Sequence, residues 1–271
     1  MQTPYLMHAL LGVAAAHMAH MLPAEVDAVQ HSRYRLADAY HWVHALRLLR
    51  EEISCRGAKT DNMDALFSAN MLVTVHQFAL RKQEDKREGE HHEDDDAWKR
   101  SFVFVEDAVK REGALKWLVV QSGFKHLLSQ LEVDLHRSVW LPVLALFCEL
   151  CNIDDRTLAS DSPYLECLQL VLHMRRMRPI TCHHFNKMIT FLGKITPEFR
   201  KLLLVRDTAS LLILTYWLSL LTDIGQWWLI DRAEIECKAI VMFLKSRLET
   251  EPSNVVAELL REPALAISLE V

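Results

Sequence analysis

The stretch from Leu211 to Ile230, LLILTYWLSLLTDIGQWWLI, constrains the fold more than any other part of the sequence. Asp223 interrupts it, so its uninterrupted apolar run is shorter than the ~20 residues that cross a bilayer. A surface helix would carry a polar face, whereas only Thr215, Ser219 and Thr222 interrupt the aliphatic residues before Asp223. We therefore expect this segment to lie in a protein core or to border an apolar cavity.

The composition favours helices over strands. The 271 residues contain seven glycines and eight prolines, and 51% of them are hydrophobic. Scarce turn-forming residues, abundant Leu, Ala and Met, and little Val-Thr alternation are typical of helical proteins. The sequence predicts a single globular all-α domain over residues 1–271, with amphipathic N-terminal helices and an apolar C-terminal core or pocket.

Prolines, glycines and capping residues predict the helix boundaries. Helices are expected over Pro4–Met21, from about Ala24 to Cys55, after Asp61 or Asn62, from about Tyr164, from Pro197 through Thr222, after Gly225, and from Pro252 to about Pro263. No repeat with a period of 20–50 residues is visible, so a helical repeat array is not expected.

The net negative charge of the chain comes from one segment. Residues 82–97, KQEDKREGEHHEDDDA, hold eight acids and three bases, which accounts for the whole formal net charge of −5. The segment has no hydrophobic periodicity, so we expect a solvated, disordered loop. The rest of the chain is neutral and has no basic patch, which excludes direct nucleic-acid contact and binding to anionic membranes.

The cysteines and the first residues indicate the type of compartment. Six cysteines lie in apolar, helix-like contexts, which is typical of reduced intracellular thiols rather than of a disulfide framework. No secretory signal opens the chain. The sequence starts abruptly inside an amphipathic helix, so we expect it to be a fragment of a longer protein.

Motifs for catalysis and metal binding are weak. The isolated glycines form no phosphate-binding loop, and no nucleophile elbow or H-E-x-x-H pair occurs, so no enzyme is predicted. Cys148 and Cys151 could in principle form a zinc site with Cys182, His183 and His184, but structural zinc pairs usually lie on turns, and buried cysteine is common in cores. The His17/His20 and His91/His92 pairs are best explained as surface, core or loop histidines, so no metal site is predicted.

One apolar cluster remains as a candidate binding site. Aromatic and methionine residues recur at helical spacing near the Leu211–Ile230 stretch, an arrangement more often found in a core than in a pocket. The candidate ligand-binding residues are Phe147, Met188, Phe191, Leu212, Thr215, Tyr216, Trp217, Ser219, Leu220, Trp227, Trp228, Met242 and Phe243. Both alternatives, packed core and small-molecule pocket, stay open from the residues alone.

The order of several segments resembles a known family. PYLMHALLGVAAAHMAHMLP, RLADAYHWVHALRLLREEI and NMDALFSANMLVTVHQFAL resemble the opening of the regulatory domain of fungal zinc-cluster transcription factors. ALKWLVVQSGFKHLL resembles a later signature, and PEFRKLLLVRDTASLLILTYWLSLL with QWWLIDRAEIECKAIVMFL resembles the end of that domain. The sterol uptake control type is the nearest.

The resemblance implies a function. A six-cysteine zinc cluster that reads DNA would precede this chain, which itself would need no cofactor. The chain would be an all-helical, homodimeric regulatory domain that binds ergosterol in its C-terminal pocket, contacts transcriptional co-regulators, and moves from cytoplasm to nucleus when sterol is lost. Family members often carry a glycine shortly after the double Trp, where this chain has Ile230 and Asp231, so Asp231 is a candidate position for ligand sensitivity.

The rival hypothesis is an interaction module. A helical domain with a fully packed core would act by dimerising or by binding co-regulators, without a ligand. The side chain that would hold a sterol hydroxyl is not distinguished by the sequence, with Thr215, Tyr216 and Ser219 as candidates. An empty internal cavity would favour sensing, and a filled interior would favour the module.

Overall fold

The structure, a computed structural model, describes residues 3–56, 62–79, 94–119, 162–181 and 184–269. Within these ranges it is all-helical and has no strand, so the predicted fold class is confirmed. Its α-helices are α1 (Pro4–Met21), α2 (Ala28–Arg56), α3 (Met63–Ala79), α4 (Ala108–Ala114), α5 (Lys116–Val119), α6 (Leu165–Arg175), α7 (Phe185–Lys194), α8 (Pro197–Leu204), α9 (Thr208–Thr222), α10 (Trp227–Thr250) and α11 (Asn254–Ala266). Two 3₁₀ helices cover Asp94–Arg100 and Phe102–Phe104.

The chain forms two compact units, Met1–Arg81 and Lys82–Val271. Unit 1 contains α1, α2 and α3, and unit 2 contains the remaining helices. The assignment of residues 1–271 to one regulatory domain stays a prediction.

In unit 1, α1 packs against both α2 and α3 through small residues. Its buried positions are Tyr5, Ala9, Gly12, Ala15, Ala16 and Ala19. Gly12 lies so close to α2 that an added Cβ would stand 3.2 Å from Cε3 of Trp42. Apart from Tyr5, the side chains on this face are small, so the helices approach closely. Most of the large apolar side chains of α1 lie on its other faces.

In unit 2, α9 is the central helix and packs against α6, α7, α8, α10 and α11. Every residue from Ala209 to Leu221 is buried. The burial predicted for Leu211–Ile230 is confirmed for Leu211–Leu221, whereas Asp223 and Gly225 are exposed. The nearly uniform apolar composition of α9 follows from being surrounded.

Several helix boundaries differ from the predictions. The predicted helix from Pro197 through Thr222 is wrong, because α8 and α9 meet at an angle of 102°. Arg206 has a φ of 58° at this junction, and Asp207 accepts a hydrogen bond from the backbone N–H of Ser210 at 2.8 Å, which starts α9. No glycine or proline marks this break in the sequence.

The other differences are smaller. α2 begins at Ala28 rather than near Ala24, because the Asp27 carboxylate accepts a hydrogen bond from the Gln30 backbone N–H. α11 begins after Ser253 and includes Pro263, which the sequence placed at its end. Of the predicted acidic loop, residues 82–93 lie outside the described residues, whereas residues 94–97 belong to a 3₁₀ helix and Ala97 is buried.

No single helix among the described residues combines the length and apolar composition that a bilayer crossing requires. The helices α8 and α9 reach that composition only as a pair, which is bent by 102°.

Candidate functional site

The centre of unit 2 is an aromatic stack around Trp217 of α9. The Phe191 ring lies 4.7 Å from the Trp217 ring at an interplanar angle of 15°, and the Trp117 ring lies 6.3 Å away at 12°. The indole N–H of Trp217 donates a hydrogen bond to the Met188 carbonyl at 2.9 Å. Three predicted site residues, Met188, Phe191 and Trp217, are thus brought together, and all three are fully buried.

The two hydroxyl groups of α9 in the candidate set bond within their own helix. Thr215 donates to the Leu211 carbonyl at 2.7 Å, and Ser219 donates to the Tyr216 carbonyl at 2.8 Å. Such bonds satisfy a buried hydroxyl without a ligand. They favour core packing over a role for Thr215 or Ser219 in holding a ligand's polar group.

Tyr216 lies beside an ion pair between the buried Arg175 and the half-buried Glu262. The guanidinium carbon of Arg175 stands 5.6 Å from the centre of the Tyr216 ring. Arg175 of α6 makes a two-pronged contact with Glu262 of α11, in which Nε donates to Oε1 at 2.9 Å and a terminal N–H donates to Oε2. Burial, with the charge of Glu262 adding to it, raises the pKa of Tyr216, so its hydroxyl stays neutral over the physiological range.

A second buried polar group lies against the aromatic stack, on α10. The Arg232 guanidinium carbon stands 5.4 Å from the centre of the Trp117 ring, and Arg232 is 5% exposed. One turn later Glu236, which is 2% exposed, accepts a hydrogen bond from the Ser101 hydroxyl. We call Ser101, Arg232 and Glu236 the α10 polar group. It places buried polar side chains next to the Trp117 ring, and small-molecule sites combine polar and aromatic side chains in the same way.

The sequence analysis did not single out these polar residues. Arg232 and Glu236 stand four residues apart in a largely apolar helix, and this spacing is the signal that would have indicated a shared helix face. Ser101 is separated from Glu236 by 135 residues, so no local pattern connects them.

The remaining candidates do not form one site. Leu212, Leu220 and Trp228 are buried, whereas Trp227, Asp231, Met242 and Phe243 are half-buried. The neighbours of Phe243 are the Phe104 ring at 5.9 Å and the guanidinium groups of Arg206 and Arg247 at 5.6 and 5.0 Å. Phe147 lies outside the described residues.

The residues considered for zinc are only partly described. Among the described residues, no group of three or more His, Cys, Asp or Glu side chains is placed to hold a metal ion. Cys148, Cys151, Cys182 and His183 lie outside the described residues, and His184 accepts a hydrogen bond from the backbone N–H of Thr181 at 3.1 Å.

Unit 1 contains a buried Asp–His pair. The Nε2 atom of His76 on α3 lies 2.8 Å from a carboxylate oxygen of Asp38 on α2, and both side chains are buried. The Trp42 ring packs against the His76 ring, with the ring centres 3.9 Å apart and an interplanar angle of 31°. These contacts hold α3 to the inner face of α2, so the outer face of α2 is left to the solvent.

The outer faces of α1 and α2 carry many exposed apolar side chains. They are Leu10, Leu11, Met18 and Met21 on α1, and Val29, Leu36, Tyr40, Val43, Leu46 and Ile53 on α2. Single exposed apolar residues are normal, whereas these form a row along most of the 29-residue helix α2, which makes that face a candidate binding surface.

No family model, curated protein or solved structure matches the chain. The resemblance to zinc-cluster regulators therefore stays a prediction that rests on the quoted sequence segments.

Proposed function

We propose that the chain is the regulatory part of a fungal zinc-cluster transcription factor, and that its unit 1 acts as an association module. The exposed apolar row on α2 is the observation that carries the proposal. The resemblance of the sequence segments supplies the class of protein. In this role the module would homodimerise or bind transcriptional co-regulators, and it would act in the nucleus after leaving the cytoplasm.

The inverted burial of unit 1 supports an association role. Its core uses small or polar side chains such as Ala9, Gly12 and Asp38, while larger ones such as Leu36 and Val43 face outward, 72% and 66% exposed. Leaving these side chains in water forgoes roughly 1.5–3 kcal/mol each. A partner that covers them recovers that free energy, so the surface is suited to binding.

Sterol binding in unit 2 is the second candidate function. Arg232 of the α10 polar group contacts the Trp117 ring, which in turn lies parallel to the Trp217 ring. An apolar aromatic surface and a polar group are therefore adjacent. A sterol needs a long apolar slot and a partner for its single hydroxyl. The internal hydrogen bonds of Thr215 and Ser219 favour the α10 polar group over α9 for that role.

One experiment separates the two candidates. The chain is purified from a sterol-producing fungal host and from a bacterial host without sterols, extracted with organic solvent, and analysed by mass spectrometry. A stoichiometric sterol from the fungal preparation, lost in Trp217→Ala but retained in Trp227→Ala, would establish the sensor. A folded protein with no lipid, whose α2 variants lose a protein contact, would establish the association module instead.

A further inference from the structure

The outer face of α2 carries a stripe of six exposed residues. They are spaced alternately four and three positions apart, so they lie in one row along the helix. We call them the α2 outer stripe: Val29, Arg33, Leu36, Tyr40, Val43 and Arg47. At about 3.6 residues per turn, the buried residues Asp38, Trp42 and Ala45 lie on the opposite side of the helix. The stripe is therefore the part of α2 that points farthest from the core of unit 1.

The α2 outer stripe is positively charged as well as apolar. Arg33 and Arg47 stand on either side of its central residues, and Arg50 is exposed one turn further on. In the part of the chain that the structure describes, none of these three arginines has a carboxylate partner. Between residues 28 and 50 the only acid is Asp38, which is buried against His76. This face of α2 therefore has an excess of positive charge that is visible only once the helix faces are known.

We propose that the α2 outer stripe binds an acidic amphipathic helix of a partner protein. This inference rests on the proposed association function and names the chemistry of the partner. Leu36, Tyr40 and Val43 pack on apolar side chains that recur every three to four residues in the partner helix. Arg33 and Arg47 are 14 positions apart, or about 21 Å along the helix, and each faces a carboxylate near one end of that apolar row.

The placement of the arginines favours a protein partner over an anionic lipid surface. A helix that lies on a membrane carries its basic residues beside an uninterrupted apolar face. Arg33 and Arg47 instead lie in the same row as Leu36 and Tyr40, where acyl chains would offer the guanidinium groups no hydrogen-bond acceptor. A protein can present a carboxylate at each of these two points, and such pairs are directional.

The charge also disfavours a second copy of the stripe as the partner. Two stripes in contact would bring positively charged faces together, and like charges oppose association. Glu51 is the nearest exposed acid that follows the stripe in α2, and it offsets at most one of the three arginine charges. The complementary surface is therefore one with an excess of carboxylates.

Fluorescence anisotropy with a labelled synthetic peptide of about 20 residues tests the partner. The peptide has blocked ends, leucines spaced three and four positions apart in its middle, two glutamates at each end, and alanine and glutamine elsewhere. We expect it to bind the full chain with a dissociation constant of about 10–500 µM. Binding should weaken at least about threefold when the salt concentration rises from about 50 to about 500 mM. No binding at about 1 mM chain would overturn the proposal.

Charge reversal tests the two arginine contacts. The double variant Arg33→Glu with Arg47→Glu is expected to bind the glutamate peptide at least about tenfold more weakly. A peptide with lysines in place of the glutamates should bind this variant more tightly than it binds the wild type. Lys110→Glu is the matched control, because Lys110 is exposed but lies outside unit 1, and circular dichroism reports whether each variant is folded. Equal affinity of the wild type for the two peptides would overturn the acidic partner.

Two measurements identify the other occupants of this face. If the chain floats with vesicles of phosphatidylcholine and phosphatidylserine but does not bind the glutamate peptide, a lipid surface replaces the acidic helix as the partner. If sedimentation velocity shows a dimer that Leu36→Gln disrupts, and the peptide does not bind, a second copy replaces it. Either result overturns the proposal.

A reporter separates failure of this inference from failure of the proposed function. The full chain is fused to an unrelated DNA-binding domain, and transcription is measured for the wild type, for Leu36→Gln and for the arginine double variant. We expect both variants to change the output. A change with Leu36→Gln alone, in a chain that does not bind the glutamate peptide, overturns the acidic partner and retains the association module. An unchanged output with both variants, together with no peptide binding, overturns both.

Discussion

At the scale of single residues, Trp217 contributes most to the core of unit 2. It combines full burial, two neighbouring rings that lie nearly parallel to its own, and an indole hydrogen bond to the Met188 carbonyl. The sequence analysis selected Trp217 because it lies in an apolar helix, and the structure shows it fully buried. Its hydrogen bond joins residues 29 positions apart and had no signal in the local pattern.

Replacing Trp217 by Ala is expected to lower the free energy of unfolding by about 4 kcal/mol, from lost burial and a cavity. Trp217→Phe keeps an aromatic ring and is expected to cost about 1–2 kcal/mol, from the smaller ring volume and the lost indole hydrogen bond. Urea unfolding followed by circular dichroism measures both. The half-buried Trp227 is the control, and a Trp227→Ala cost as large as that of Trp217→Ala would contradict this account.

His8 predicts a pH effect on unit 1. Partial burial, followed by the charges of His41, His44 and Arg47, lowers the pKa of His8. The Nδ1 atoms of His8 and His41 lie 2.9 Å apart, and the His8 ring stacks on His44. The unfolded chain therefore binds a proton at His8 more readily than the folded chain, so stability decreases as the pH falls through about 6.5.

We expect the urea midpoint of the wild type to fall between about pH 7.5 and about pH 5.5, and His8→Gln to reduce that fall. His17→Gln, on the exposed side of α1, is the control. Equal pH profiles for the wild type and His8→Gln would show that the cluster does not act in this way.

At the scale of elements, the break between α8 and α9 is where sequence reasoning was wrong. The charged residues Arg206 and Asp207 separate two apolar runs here, but the turn contains no glycine or proline that would mark a break. Arg206 adopts its left-handed conformation because its side chain is anchored, with a terminal N–H donating to the Val105 carbonyl at 2.7 Å. A contact across 101 residues thus overrides local helix propensity.

Asp207 is the one residue at this break that indicates a helix start in the sequence, because it is the N-cap of α9. Asp207→Ala removes the N-cap of α9 and is expected to reduce the free energy of unfolding by about 1 kcal/mol. Asp207→Asn keeps an oxygen that can accept the Ser210 N–H, so it should retain most of the stability. Thermal unfolding compares the two, and equal losses would indicate that charge rather than capping is responsible.

At the scale of the whole molecule, long-range polar contacts connect the helices of unit 2. Arg175 of α6 reaches Glu262 of α11, and Arg178 reaches both Glu262 at 3.1 Å and Asp223 at 3.0 Å. Because Arg175 is 4% exposed, little water reaches its guanidinium group, and the Glu262 carboxylate balances its charge.

Glu262→Leu leaves the buried Arg175 without its carboxylate and is expected to cost about 3 kcal/mol. The double variant Arg175→Met with Glu262→Leu removes both charges and should recover much of that loss. Glu258→Leu is the control, because Glu258 pairs with the exposed Arg261, and it should cost at most about 1 kcal/mol. Urea unfolding of the wild type, Arg175→Met, Glu262→Leu and the double variant measures the coupling, and additive losses would show that the pair is not coupled.

The sequence by itself determined the all-helical class, the start of α1 at Pro4 and the burial of Leu211–Leu221. These properties depend on local composition and periodicity, which are readable along the chain. The seven-residue spacing of Val29, Leu36 and Val43 was also readable, but only their exposure shows that this face is available to a partner.

Tertiary structure alone decided which face of each N-terminal helix is buried. α1 leaves Leu11 and Met18 exposed and buries Ala9, Gly12 and Ala16, because close approach to Trp42 requires small residues. It also decided that Ser101 meets Glu236 and that Arg175 meets Glu262. Such contacts join distant positions, and their free energy depends on burial and geometry that exist only in the folded chain.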